Sequence, residues 1–153
     1  MSPKGLNVLR QAAENIDTGL DAPETSRALV VFNTTHEIGN GTAVYHAQMP
    51  WRRGVPLPPI MVTQWDGAIV PSWVSPVQRT KDERDRPDRE QIAFDIFFSV
   101  KDVYAQGWKT YLAWFTDQTS SEEFDEAPRT PRTGFVVIET TRHGGHLPTS
   151  GTF

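Results

Sequence analysis

Two histidines flanking two glycines, His143 and His146 in "HGGH", have the spacing nearest to a metal pair, and His36 and His46 complete the four imidazoles of the chain. A zinc site needs three or four donors held at fixed angles. Glycine gives a loop little fixed geometry, and no spacing in the sequence ties the two earlier histidines to this one. The imidazoles therefore read as surface groups and parts of a polar tail, and no metal or other cofactor is expected. His46, on the Val44 and Gln48 side of its segment, is expected to face solvent or a neighbouring domain.

Paired carboxylates are a second route to chemistry. Glu122, Glu123, Asp125 and Glu126 lie close together, and glycoside hydrolysis uses two carboxyls about 5–10 Å apart. A general acid, however, must be desolvated so that its pKa rises, and these four sit in a charged, proline-containing stretch that reads as solvated. The chain has no cysteine, which removes thiol nucleophiles, disulfides and thiolate metal sites together. It also lacks a glycine-rich phosphate cradle and a Gly-x-Ser-x-Gly elbow. No catalytic residue is assigned.

Tryptophan is the unusual residue: Trp51, Trp65, Trp73, Trp108 and Trp114. An indole face stacks on the C–H face of a sugar, yet indoles are also large core fillers. Trp51, Trp65 and Trp73 are the candidates for sugar stacking. Trp51, in "MPWRRGVPLPP", is the one expected to be most exposed.

These side chains need elements to hold them. The 153 residues fit one domain, with a net charge of −4 and 37% hydrophobic residues. The mixed run "KDERDRPDRE" cancels its own charges within a Debye length, and no basic stripe with interleaved aromatics exists for nucleic acid. No apolar stretch approaches the roughly 20 residues of a membrane helix, and the N-terminus lacks the run of a signal peptide. A cytoplasmic location is the expectation. The Asn-x-Thr matches at Asn33 and Asn40 matter for glycosylation only in a secreted chain.

Leu6, Leu9, Ala13 and Ile16 recur at helical spacing, which predicts an amphipathic helix within 1–19, followed by a linker over 20–27. From 28 to 115 the pattern is period two with short turns. Strands are expected at 28–33, 42–49, 58–65, 91–100 and 108–115, with both faces of 108–115 covered. Asp66-Gly67 marks a hairpin with both residues at the corner of a type I′ turn. Pro71 breaks the strand that follows, making it an edge or a bulge. Residues 116–134 read as a mobile acidic connection, and 135–153 as a last strand with a loose tail. The fold class expected is all-β, an antiparallel sandwich of about seven strands with one short N-terminal α-helix.

The order of "ALVVFNTTHEIGNGTAVYHAQMP", "VTQWDGAIVPSWV" and "FFSVKDVYAQGWKTYLAWF" resembles the β-sandwich that follows the catalytic region in glycoside hydrolase family 38 α-mannosidases. The matching residues are Val31-Phe32-Asn33, then Asp66-Gly67 with Val70-Pro71, then Gly107-Trp108-Lys109-Thr110-Tyr111, and the resemblance covers roughly 5–115. The chain departs from the family pattern after Asn33, where "TTHE" follows, and after Pro71, where Ser72-Trp73 stand. The family's metal ligands and nucleophile lie in an earlier barrel, and no segment here matches them. The resemblance thus implies a non-catalytic ancillary domain whose partners are a catalytic hydrolase domain or subunit and carbohydrate. It also implies a final helix from a helical domain, and an exposed apolar patch where a neighbour would sit. The alternatives are a stand-alone carbohydrate-binding module, a structural protein assembling through sheet edges, and an enzyme built on "HGGH" and the acidic loop.

Overall fold

A computed structural model describes residues 26–81, 86–115, 128–140 and 150–152. The expected N-terminal helix, the four clustered carboxylates and the "HGGH" histidines lie outside the described residues. What is described is all-β, in ten strands: β1 (Ser26–Asn33), β2 (Gly39–Arg52), β3 (Ile60–Gln64), β4 (Ile69–Val70), β5 (Ser72–Val74), β6 (Gln78–Lys81), β7 (Arg89–Val103), β8 (Gly107–Phe115), β9 (Phe135–Thr140) and β10 (Ser150–Thr152). Every pairing is antiparallel. The first sheet runs β4-β3-β8-β1-β9, with β10 pairing the start of β8 on the same side as β3. The second runs β2-β7-β5, with β6 in line with β5 along β7. The two sheets form the expected sandwich. Among the described residues no helix is long and apolar enough to cross a membrane.

Alternation decides which side chains meet between the sheets, because successive residues of a strand point to opposite faces. Ile92, Phe94, Ile96, Phe98 and Val100 of β7 and Tyr45, Ala47 and Met49 of β2 face Leu29 and Val31 of β1, Val62 of β3, and Tyr111, Ala113 and Phe115 of β8. Two aromatic pairs join the layers: Phe94 with Phe115 at 6.3 Å, edge to face, and Phe98 with Tyr111 at 5.3 Å. Burying side chains of this size stabilises by about 1.5–3 kcal/mol each.

The Asp66-Gly67 corner forms, in a different geometry from the one expected. Gly67 N–H donates to the Gln64 carbonyl at 3.0 Å and Gln64 N–H donates to the Ala68 carbonyl at 2.8 Å. Gly67 alone in this corner has a positive φ, 92°. This is a three-residue loop in which a glycine follows an ordinary turn, the second common hairpin design. Asp66 need not adopt positive φ, and its carboxylate instead accepts the Ala68 N–H at 3.0 Å.

Pro71 marks more than an edge. β4 is the outermost strand of the first sheet and β5 an outer strand of the second, so the chain changes sheet at this proline. Its carbonyl still accepts the Ser99 N–H at 3.0 Å, while its missing N–H falls where no ladder bond is required.

Three further departures concern segments read as irregular. Gln78–Lys81, all exposed and polar, pairs with β7 as an edge; alternation cannot reveal a strand with no buried face. Residues 128–134, read as part of a mobile connection, are fixed: Arg132 N–H donates to the Thr42 carbonyl at 2.7 Å and its guanidinium to the Asn40 carbonyl at 2.9 Å. Ser150–Thr152, within the expected tail, pairs with β8.

Asn33 closes one end of the sandwich. It is fully buried, and its amide donates to the carbonyls of Glu37 at 2.7 Å and Val103 at 3.0 Å. Its oxygen accepts from Thr35 N–H at 3.0 Å and from the Thr35 hydroxyl at 2.6 Å. An amide so engaged offers no nitrogen to a glycan, whatever the compartment. Removing it leaves the buried Val103 carbonyl without this donor, at about 1–3 kcal/mol, and also frees the less buried carbonyl of Glu37 and the hydroxyl of Thr35. Asn33→Ala should lower stability by about 2–4 kcal/mol, read as a fall in Tm of about 2–4 °C per kcal/mol.

Two interior phenols set a pH limit. Burial, then the Glu139 carboxylate that accepts the Tyr45 hydroxyl at 2.5 Å, raises the Tyr45 pKa far above its ordinary value. Burial pushes Tyr111 up to about 12, with the Lys101 backbone offsetting part of the effect. Both folded values exceed the unfolded one near 10. The contribution of the neutral phenols is therefore complete below pH 10, declines as pH rises from there towards the folded value of each tyrosine, by up to about 1.4 kcal/mol per pH unit per tyrosine, and levels off above it. Urea denaturation between pH 9 and 12 should show this decline, and Tyr111→Phe should reduce its slope.

Candidate functional site

Trp73 gathers the most varied surroundings of the three candidate tryptophans. β5 pairs with β7 so that Trp73 stands opposite Phe97, on the face of the second sheet turned away from the core. The two rings lie 5.5 Å apart at 52°. Phe97, the apolar residue that interrupts the polar side of β7, has its partner here. The Arg129 guanidinium sits over the Trp73 ring at 3.8 Å from the centroid, a cation–π contact in which arginine covers the indole face.

Beside Trp73 an open cleft of about 400 Å³ is lined by Leu57, Pro58, Ile60, Val74 and Val77. The stretch entering β3 forms one wall and the stretch from β5 to β6 forms the other, so the sheet change at Pro71 brings the two walls together. Ser75 is the polar side chain of the lining, and its hydroxyl already accepts the Asp95 N–H at 2.8 Å.

The same outer face carries a polar row next to the aromatic one. His46 and Asp95 are register partners, with His46 Nδ1 and an Asp95 carboxylate oxygen 2.6 Å apart. The imidazole is 77% exposed and the carboxylate 38%. His46 thus faces outward as expected, but with a carboxylate partner. An exposed pair of this kind contributes little to stability.

The other candidates stand elsewhere. Trp51, expected in an exposed loop, ends β2 half-buried against the core. Its position continues the inward series Tyr45, Ala47 and Met49, and its indole N–H donates to the Val55 carbonyl at 3.1 Å. Arg79, ion-paired with Glu90, donates to that carbonyl at 2.9 Å. Trp65 is half-buried in the β3–β4 corner at the margin of the first sheet. Trp108 and Trp114 lie on the outer face of the first sheet, where Trp114 donates to the Thr63 hydroxyl at 3.0 Å. The three candidates thus occupy three different parts of the sandwich. His36, at the Asn33 end, is hydrogen-bonded to Gln106 at 3.2 Å, away from His46 in mid-sheet. Among the described residues no group of three or more His, Asp or Glu side chains is placed to hold a metal ion.

Sequence reasoning missed Arg129, which lies in the stretch read as a mobile connection, and the bridge between sheets formed by Arg27, Glu139 and Tyr45. Glu139 accepts Tyr45 O–H and pairs with Arg27 at 3.1 Å, and Arg27 also lies 5.7 Å from the Phe115 ring centre. Glu139, the one charged residue of β9, is the signal of this bridge in the sequence. Chemically, the Trp73 surface offers aromatic stacking, a guanidinium and an apolar recess, which suit a ring with one C–H face and polar edges. A ring stacking on the face held by Arg129 must displace the guanidinium; the cleft reaches Trp73 with it in place.

No protein-family profile matches the chain, and no curated protein sequence matches it. Among solved structures, the chain is similar to a protein in the glycosyl hydrolase family 38 from Enterococcus faecalis, with a TM-score of 0.55 and 18% identity. It is likewise similar to an alpha-mannosidase from Enterococcus faecalis V583, with a TM-score of 0.56 and 18% identity. Each likeness covers 77% of this chain, but only 16% and 15% of those chains. At this identity the likeness is one of fold, and it is to the family indicated by the Val-Phe-Asn, Asp-Gly and Val-Pro motifs.

Trp73 rests on one ring and one guanidinium, whereas Phe98 lies wholly within the core. Trp73→Ala is expected to cost about 1–2 kcal/mol and Phe98→Ala about 3–5 kcal/mol. Urea denaturation checks this order. Equal losses would mean that Trp73 is a core residue and not a surface platform.

Proposed function

We propose that the chain is a non-catalytic β-sandwich unit that supports a catalytic glycoside hydrolase domain or subunit and touches carbohydrate through Trp73 and its cleft. The observation that carries this reading is the fold likeness: most of this chain corresponds to about one-sixth of a family 38 chain. A segment of that share serves the larger protein as a part, and the motifs of this sequence match the family's sandwich and not its reacting groups. Trp51 and Trp65 are further sugar contacts in this reading, subordinate to Trp73 because they stand apart from the cleft.

The second reading, a stand-alone carbohydrate-binding module, is favoured by the same cleft and by the guanidinium stacked on Trp73. The two readings share the sugar contact and differ in whether a hydrolase partner is needed. Assembly through sheet edges is a third reading: β4, β5 and β6 are edge strands of only two to four residues, which recruit other chains poorly, so such assembly would fall to β2, the 14-residue outer strand of the second sheet.

The purified chain should leave 4-nitrophenyl α-mannoside intact; turnover that co-elutes with the monomer on gel filtration would overturn the non-catalytic reading. Addition of methyl α-mannoside to millimolar concentration should shift the Trp73 indole N–H resonance, with weaker or no change at Trp108. If none of the five indoles moves, the carbohydrate contact is removed from the proposal and the supporting role stands alone.

A further inference from the structure

The first sheet has a second apolar cluster on the face turned away from the second sheet. Val30 and Phe32 of β1 and Trp108 of β8 form its centre, with Val136 and Ile138 of β9 packed against them. All five belong to the first sheet, and register places them side by side: Val30 pairs with Ile138 and Thr110, and Phe32 with Val136 and Trp108. Val30 and Phe32 are 0% exposed and Trp108 8%. Ala28, Thr110 and Leu112 of the same face are also buried. The expected exposed apolar patch is thus absent from this face, and the second sheet cannot be what covers it. The large apolar side chains that are exposed among the described residues, Ile38, Val55 and Tyr104, lie in loops.

We infer that residues 5–17 of this chain dock as an amphipathic helix across this outer face, over Val30, Phe32 and Trp108. Composition selects the occupant. Outside the described residues, 116–127 reads "TDQTSSEEFDEA", with one phenylalanine among five carboxylates, and 141–149 reads "TRHGGHLPT", with one leucine. Neither has enough apolar surface to cover a four-strand face. Residues 5–17, "GLNVLRQAAENID", hold Leu6, Val8, Leu9, Ala12, Ala13 and Ile16. At 100° per residue these six fall within one half of a helix, and Asn7, Arg10, Gln11, Glu14, Asn15 and Asp17 fall within the other.

Reach and length agree with this docking. Thirteen helical residues extend about 20 Å, comparable to four strands spaced about 4.8 Å apart. Residues 18–25 provide up to about 27 Å of extended chain, enough to turn from the start of β1 back over the sheet. β1 lies inside the first sheet, between β8 and β9, so the segment enters beside the surface it covers. An isolated helix of this length is marginal in water, and the outer cluster supplies the burial it needs.

The absence of cysteine makes a cross-linking test clean. In the full chain, Ile138→Cys is combined in turn with Leu6→Cys, Leu9→Cys, Ala13→Cys or, as the outward control, Gln11→Cys. Mild oxidation should give an intramolecular disulfide with at least one of the first three and not with the control. Failure of all three, equal reaction of the control, or cross-links found solely between two copies would each overturn the inference. Independently, Leu9→Asp with Ile16→Asp should accelerate amide exchange at 28–32 and 108–112 by at least tenfold, whereas Gln11→Asp should leave it unchanged. Unaltered exchange in the double variant overturns the docking; if that variant does not fold, the cross-links, which leave most of the apolar face intact, decide.

Discussion

The spacing between the two sheets is set by the aromatic contacts of β7 and β8, where Phe94 meets Phe115 and Phe98 meets Tyr111. Both strands are long and lie inside their sheets, with partners on either side. Each of these rings therefore fixes the height of the sandwich and the register of the flanking strands together. A shift of β7 by one residue would send Phe94, Ile96 and Phe98 outward and bring Asp95 and Ser99 into the core, exchanging burial for desolvation of a carboxylate. The rest of the architecture follows from that penalty: β2 is held opposite β7, β1 and β3 opposite β8, and the Arg27–Glu139–Tyr45 bridge finds its place at the margin.

β8 serves both sides of its sheet. Its inward residues Tyr111, Ala113 and Phe115 belong to the main core, and its outward Trp108 and Leu112 are buried as well. A strand apolar on both faces requires a third layer, and the inferred helix of 5–17 would provide it. The second sheet has no such demand. Its outward side carries His46, Asp95 and Gln48 around the patch of Val44, Phe97 and Trp73, which leaves that side available for contact with a ligand or another domain.

Much of the fold was legible because period-two alternation and turn residues report burial directly. Phe94, Ile96 and Phe98 announced the inner face of β7, and the doubly apolar pattern of 108–115 announced that both of its faces would be covered. Alternation is silent where nothing is buried, which hid β6, and where a segment is tied down by backbone hydrogen bonds, which hid the contribution of Arg132. The Asp66-Gly67 corner was placed correctly but given the wrong turn, since dipeptide preference names the corner and the register of the flanking strands selects its geometry. The candidate site was legible only in part. Trp73 was named on residue type, while its contacts with Arg129 and Phe97 depend on segments distant in the chain. The burial of Trp51 follows from β2 running several residues longer than the alternation suggested.

The change of sheet at Pro71 bears on how the protein reaches its native state. Because β4 and β5 are separated by one residue yet belong to opposite layers, neither layer can finish zipping while the other is still searching for its register. With β1 also pairing β8 far along the sequence, loop closure precedes much of the reward, a topology that folds slowly. A nascent chain would hold its early hairpins in waiting until β7 and β8 had both been synthesised, and until then the aromatic side chains would depend on the solubility of the surrounding charged loops.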